Sequence, residues 1–228
     1  MQRLAAVFAH PDDETFATGG TIARYASEGV RCSLYCATDG DAGRSSGIPV
    51  SSRAELGAVR RAELQAACEV LGIGTLVCGG HPDGRLHEVN PDDVMGEIVA
   101  VLRRERPDVV VTFGPEGAPT QHRDHRAISR LATSAFLLAG TATAFPEQVA
   151  AGLAPHRPTA LWYSTWLPPA PGDEPATQGQ PIDITLDVRA WLPQKRAAFE
   201  AHRSQHVHRA NFERVAVRDN EYYFVVIE

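Results

Sequence analysis

The chain has 228 residues, a formal net charge of -6, 22% charged and 43% hydrophobic residues, an ordinary globular composition with length enough for a buried core. That balance argues against nucleic acid as the main partner, because phosphate neutralisation needs a basic face, and Arg103-Arg104-Glu105-Arg106 reads as a solvated helix end. No stretch approaches the roughly 20 apolar residues of a membrane span, and the start lacks a secretory pattern, so a cytoplasmic protein with no membrane partner is expected. Cys32, Cys36, Cys68 and Cys78 form no C-x-x-C pair and lie in apolar segments, which reads as buried free thiols.

The first expected strand is the apolar run Leu4-Ala5-Ala6-Val7-Phe8, and the turn Ala9-His10-Pro11-Asp12-Asp13-Glu14 follows at its carboxyl end. Pro11 suits a first helical turn, and three acids there meet the positive end of a helix dipole, so local structure can account for the acids. It accounts less well for His10. A histidine and a carboxylate three residues apart across a tight turn converge on one point, and together they are a usual ligand pair for a divalent transition metal. On these residues alone, capping and half a metal site both stand.

A helix is expected over residues 15–28 with Gly29 stopping it, then a strand over 31–37 and a Gly-rich polar loop over 38–44. Ser52 with Glu55 resembles a capping box opening a helix with Leu56, Val59, Leu64, Ala67 and Leu71 on one side, ended by Gly72. A third strand is expected over 75–78, a turn-rich loop over 79–84, and a helix opened by Asn90-Pro91 and closed by Pro107. Residues 108–113 make the most strand-like run, after which a Gly/Pro loop leads to His122-Arg123-Asp124-His125 at the start of the next helix. Beyond Gly140 the alternation weakens to a strand over 159–166, a Pro/Gly loop over 168–181 that reads as a lid or a surface turn, a strand over 182–188, a helix over 192–202 and a last strand over 222–227.

Strands alternating with helices imply an α/β fold, Rossmann-like, with a mostly parallel sheet covered by helices on both faces and the active site at the strand carboxyl ends. Residues 1–228 are expected to form one domain, an α/β core over 1–140 with the strands, loop and helix of 141–228 packed on it. His10, Asp13 and His125 then supply three mixed donors and leave a position open for water, the mark of a catalytic metal site. Such a metal lowers the pKa of water and polarises a substrate oxygen. Asp12 is the natural general base. His122 is the acid that steadies the oxyanion, and Asp124 is expected to hold His122 in its charged form.

The motifs A-H-P-D-D-E and H-x-D-H resemble those of the LmbE-like (PIG-L) zinc N-deacetylases. The similarity runs on through Thr38-Asp39-Gly40-Asp41-Ala42-Gly43, Arg60-Arg61-Ala62-Glu63-Leu64 and Lys195 to Gln205. It implies one Zn2+ per chain, held by His10, Asp13 and His125, and removal of an acetyl group from an N-acetylated amino sugar of the N-acetylglucosamine type. It also implies Asp12 as base, His122 with Asp124 as acid and orienting partner, sugar contacts from Arg60 and Asp83, and a homo-oligomer. Arg61 is able to take the place of Arg60, and Asp39 either lines the pocket or forms an Asx-turn. One departure is that Ala118-Pro119-Thr120-Gln121 stands where many members carry a glycine-rich segment that can include a tyrosine.

Other readings stand beside this one: an iron oxygenase site, a zinc amidase acting on a non-sugar N-acyl substrate, and a sugar-binding protein without turnover. A nucleotide-binding module is a poorer fit, since Ala17-Thr18-Gly19-Gly20 lacks the G-x-G-x-x-G glycines. His81, His87 and His156 read as surface histidines, and Trp162, Trp166 and Trp191 as packing residues.

Overall fold

The computed structural model describes residues 1–167 and 178–228. Its core is a seven-stranded sheet. The strands are β1 (Arg3–Phe8), β2 (Arg31–Thr38), β3 (Ile73–His81), β4 (Val109–Phe113), β5 (Ala160–Thr165), β6 (Ile184–Asp187) and β7 (Asn220–Ile227), in the spatial order β3-β2-β1-β4-β5-β7-β6. The first five are parallel to one another, and β7 pairs antiparallel with both β5 and β6. The long helices are α1 (Asp13–Ser27), α2 (Arg53–Leu71), α3 (Pro91–Glu105), α4 (Arg123–Ala139), the short α5 (Pro146–Ala150), and α6 (Leu192–Ala201). Helix α3 packs with α4, and α6 packs with α1 and α2, so both faces of the sheet are covered. That cover explains why β1 is a continuous apolar run, with Leu4 through Phe8 all buried.

The local signals act as expected at several ends. Ser52 Oγ accepts the Glu55 N–H at 3.1 Å, while the Glu55 carboxylate turns back to the N–H and Oγ of Ser51 rather than completing the box on Ser52. Asn90 Oδ1 accepts from Asp92 N–H with Pro91 in the first turn, and Gly72 ends α2 at φ 79°, a left-handed conformation that a side chain would strain. Three of the cysteines are buried, Cys78 is partly so, and all are free thiols.

Other expectations need correcting. Strand β3 is longer than residues 75–78, and β6 is shorter than 182–188. Helix α5 and the mixed helical stretch over Arg203–His208, Arg209–Asn211 and Phe212–Ala216 went unforeseen, since pieces of three to six residues carry no sustained period. His81 is no surface residue: its half-buried ring meets Glu97 at 3.1 Å. Of the expected loop over 168–181, residues 168–177 lie outside the described residues, and the lid reading falls on them.

Three buried carboxylates tie the C-terminal stretch onto the first two helices. Lys195 Nζ meets Glu221 Oε1 at 2.5 Å and donates to the Phe16 carbonyl, while the Glu221 oxygens accept the N–H groups of Gly20 and Thr21 in the middle of α1. A Cβ at Gly20 would come within 2.7 Å of Val188, so the Gly19-Gly20 pair permits this close approach. His202 Nε2 meets Glu14 at 2.8 Å, and Glu63 on α2 accepts both the N–H and the hydroxyl of Ser204.

Candidate metal centre and active-site cleft

Because β1 runs toward β2 on one side and is flanked by β4 on the other, the strand order reverses between β1 and β4, and a crevice opens at their carboxyl ends. The loop after β1 carries His10, Asp12 and Asp13. The loop after β4 leads to His122 and His125 at the start of α4. A cleft of about 1140 Å³ opens there.

His10, Asp13 and His125 meet at one point. His10 Nδ1 lies 3.2 Å from His125 Nε2 and 3.3 Å from Asp13 Oδ2, and His125 Nε2 lies 3.1 Å from Asp13 Oδ1. A tetrahedral ion with bonds of ~2.0–2.1 Å sets its donor atoms about 3.3 Å apart, a spacing the two ring nitrogens meet, while Asp13 faces them through its two different oxygens. The outer nitrogens fix which lone pairs face inward. His125 Nδ1 lies 3.2 Å from the Gly117 carbonyl, to which it donates, and His10 Nε2 lies 3.1 Å from Asp83 Oδ1 and 3.4 Å from Asp124 Oδ2. His10 also groups with His122 and His125, and with Asp83 and Asp124, each set having donor atoms within 4.8 Å.

Electrostatics follow from this crowding. Burial alone would lower the His10 pKa, but the charge of Asp13 and hydrogen bonds to Asp124, Asp13 and Asp83 outweigh it and hold the imidazole well above its ordinary value. Against its own burial, Asp13 is held well below the usual carboxylate range by His125 and His10. Burial pushes up Asp83 as well, yet its bond to His10 and the nearby charge bring it down to about 2. Asp12 goes the other way. Desolvation raises it to about 6 despite Arg60, with Asp13 adding to the rise.

Asp12 stands at the N-cap position of α1 without capping it through its side chain. Its backbone sits at φ 107°. A non-glycine residue in that region costs on the order of 1–3 kcal/mol and needs outside restraint. Glu14 Oε2 accepts the Asp12 N–H at 3.0 Å, and Arg60 donates to the Pro11 carbonyl and to Asp12 Oδ2 at 3.3 Å. Asp13 is likewise occupied, since its Oδ2 accepts the His10 N–H at 2.8 Å.

His122 stands on the exposed rim as the N-cap of α4, and its Nδ1 accepts the Asp124 N–H at 3.3 Å. The Asp124 carboxylate is directed elsewhere, to His10 and to the N–H groups of Gly84 and Leu86. Desolvation, then the neighbouring His10 and His125, lower the His122 pKa, and Asp124 and Asp13 only partly offset them. Arg60 and Asp83 are in the cleft wall, along with Trp166, Ala118 and Thr120. Asp39 stands behind that wall, its Oδ2 paired with Arg61 at 3.3 Å, and the turn there is closed by Gly40 N–H to Thr38 Oγ1 rather than by an Asx bond.

Sequence reasoning missed Glu14, Glu63, Lys195, His202 and Glu221 as supports. They are buried polar residues outside any apolar period, and the resemblance through residues 195–205 is the signal that pointed to part of the set.

A doubly wound sheet with a histidine-carboxylate-histidine cluster and a desolvated second carboxylate at its switch point defines an α/β protein with a candidate metal centre. Residues 5–136 match the family described as PIG-L: GlcNAc-PI de-N-acetylase, and the chain belongs to that family. It is similar to the 1D-myo-inositol 2-acetamido-2-deoxy-alpha-D-glucopyranoside deacetylase of Rhodococcus erythropolis, at 34% identity over 243 residues, 90% of this chain and 81% of that one. The fold is shared with N,N'-diacetylchitobiose deacetylase from Pyrococcus horikoshii (TM-score 0.81, 23% identity, 99% of this chain and 84% of the other). It is shared equally with the 4-carboxy-2-hydroxymuconate hydratase GalB of Pseudomonas putida (TM-score 0.80, 22% identity, 100% and 97%). The fold thus serves more than one reaction, and function rests on the site.

Proposed function

We propose that this chain is a zinc-dependent N-deacetylase, holding one ion per chain, that removes the acetyl group from an N-acetylglucosamine-type unit. The observation that carries the reading is the convergence of His10 Nδ1 and His125 Nε2, 3.2 Å apart, on the Asp13 carboxylate, whose Oδ2 and Oδ1 lie 3.3 and 3.1 Å from them, an arrangement suited to a shared cation. When bound, that cation supplies Lewis-acid chemistry, acidifying water and polarising the amide carbonyl.

The chain's own groups do the rest. Asp12, made basic by burial, takes a proton from the attacking water, and Arg60 holds its carboxylate in place. His122, with Nδ1 already accepting from the backbone, turns Nε2 to the carbonyl oxygen as charge develops there. Its lowered pKa makes the protonated ring a stronger acid, suited to protonating the amine nitrogen as the C–N bond breaks. Asp124 orients both histidines, His10 through its carboxylate and His122 through its N–H. Arg60 and Asp83 wall the sugar's place. Asp39, paired with Arg61, stands outside the cleft lining and is given no contact with the sugar. No residue with a phenol stands in 118–121, and His122 is the group given to the oxyanion.

The test incubates zinc-loaded protein with a panel of N-acetylated amino sugars and non-sugar N-acyl amides, measuring acetate and free amine. Release of both from the sugars supports the reading, and turnover of the amides alone replaces it with an amidase. Asp12→Ala should remove nearly all turnover while metal analysis shows the ion retained. A binder without turnover would be indifferent. Oxygen consumption with iron bound would point to an oxygenase instead.

We also place the protein in the cytoplasm, in keeping with four free thiols; among the described residues no helix is long and apolar enough to cross a membrane. A homo-oligomer, suggested by the family resemblance, is checked by light scattering.

A further inference from the structure

The stretch Thr38-Asp39-Gly40-Asp41-Ala42-Gly43 at the end of β2 supplies no metal donor, base or acid, yet it touches groups on both sides of the centre. Thr38 donates its N–H and its hydroxyl to the Ala9 carbonyl, each at 2.9 Å, one residue before His10. Ala42 donates its N–H at 2.8 Å to Asp83 Oδ2, and the other Asp83 oxygen lies 3.1 Å from His10 Nε2. On the side of the base, the Gly40 carbonyl accepts from Arg60 Nη1 at 2.7 Å, while Arg60 Nη2 donates to the Pro11 carbonyl and, at 3.3 Å, to Asp12 Oδ2. The loop is itself held from behind: Arg53 pairs with Asp41 at 3.0 Å, and α2 approaches it so closely that a Cβ at Gly57 would lie 3.2 Å from the Asp39 Cβ and 3.3 Å from that of Asp41.

Arg60 therefore sits in a slot, 4% exposed, with this loop as one wall. Its Nε has no partner among the described residues, so the two terminal nitrogens carry all of its hydrogen bonds. At the wall there is no room for a side chain. A Cβ at Gly40 or at Gly43 would strike Arg60 Nη1, in the case of Gly43 at 2.6 Å. Gly40 has φ 65°, so its backbone calls for glycine as well, whereas Gly43 is not among the positive-φ residues and is constrained by space alone. The next atom that a Cβ at Gly43 would meet is the Gly40 carbonyl oxygen, at 3.2 Å. A methyl group at 43 thus collides first with the end of a long side chain, which can move without unmaking the fold.

We propose that Gly43 is a positioning residue for the base: the bare backbone at this point keeps the Arg60 guanidinium seated against Asp12, and any side chain there would push the guanidinium out of its slot. The contact at risk is the 3.3 Å bond from Arg60 Nη2 to Asp12 Oδ2, already at the long end of the hydrogen-bond range, so a small displacement breaks it. Asp12 is then free to change rotamer, and a misplacement of about 1 Å at a reacting group can cost up to about 10²-fold in rate. This inference rests on the deacetylase reading and adds to it the role of the glycine-rich loop.

The experiment uses the zinc-loaded full chain and an N-acetylated amino sugar from which the parent protein releases acetate. In Gly43→Ala, kcat should fall about tenfold or more, with KM changed by less than about twofold and with zinc content and melting temperature close to those of the parent. Arg60→Lys removes the atom that the new methyl group would strike, so adding Gly43→Ala to it should lower kcat by less than about twofold further. A crystal structure of Gly43→Ala reads the displacement without turnover, with Arg60 Nη2 expected beyond hydrogen-bond distance of Asp12 Oδ2. An unchanged kcat, a loss confined to KM, an equal loss in both backgrounds or a guanidinium still in its slot overturns the inference while leaving deacetylation intact. Loss of folding or of zinc in Gly43→Ala overturns it too, by assigning the glycine to the fold. Absence of acetate release by the parent protein from every N-acetylated amino sugar overturns the deacetylase reading, and the inference with it.

Discussion

Residues 3–139 and residues 160–227 share one sheet but divide its tasks. The first stretch brings every metal donor, base and acid of the proposed reaction: His10, Asp12 and Asp13 after β1, and His122, Asp124 and His125 after β4. The second brings none of these and instead clamps the backbone that carries them, through Lys195–Glu221 on α1, His202–Glu14 beside the His10 turn, and Ser204–Glu63 on α2. The strained Asp12 backbone lies in the first stretch, while Glu14, whose carboxylate accepts its N–H, is itself held from the second. Chemistry and restraint are thus encoded in different parts of the chain, and each is open to attack without the other.

The largest effect is expected from the donors. Asp13→Ala or His125→Ala should abolish tight zinc binding and reduce deacetylation by at least about a thousandfold, read by metal analysis and acetate release. Next comes Asp12→Asn, expected to lower kcat by about 10²–10⁴ with zinc retained. In the parent enzyme the base must be ionised, so activity should fall as pH drops through the Asp12 pKa. That midpoint is about 6 without the cation and lower with a positive charge beside it, and a kcat/KM profile locates it.

Breaking the clamp should act on stability first. Glu221→Ala strands Lys195, 1% exposed, without its partner, and should cost about 3–5 kcal/mol in calorimetry or urea unfolding. Adding Lys195→Met to it should recover much of the loss, since an apolar side chain carries no buried charge. If Glu221→Ala instead leaves stability intact, the proposed division between chemistry and restraint fails.

His202 gives a subtler test. Burial would lower its pKa, but Glu14, through charge and a hydrogen bond, raises it above its ordinary 6.5. A group raised in the folded state contributes stability that is full below the unfolded pKa and is lost as pH rises through the folded one. Unfolding free energy should therefore decline above pH 6.5 in the parent protein, and His202→Gln should flatten that decline. The smallest effect belongs to a site outside both roles. Ser52→Ala should remove about 1 kcal/mol through loss of the α2 cap, with little change in kcat.

Much of this was legible in the residues. Strand and helix alternation, the Ser52 and Asn90 caps, the Gly72 stop and the donor types at 10, 13 and 125 are local features, set by side-chain shape, backbone preference and coordination chemistry within a few residues. Three things were not local. That β4 lies beside β1, so that residues 115 positions apart put nitrogens 3.2 Å from each other, is decided by strand order in the assembled sheet. That the Asp124 carboxylate serves His10 while Asp39 is drawn off by Arg61 is decided by which neighbours packing supplies. And that Lys195, His202 and Glu221 brace the first helix depends on burial. An isolated charged residue reads as surface in a sequence, and only the tertiary structure shows the partner that makes its desolvation tolerable.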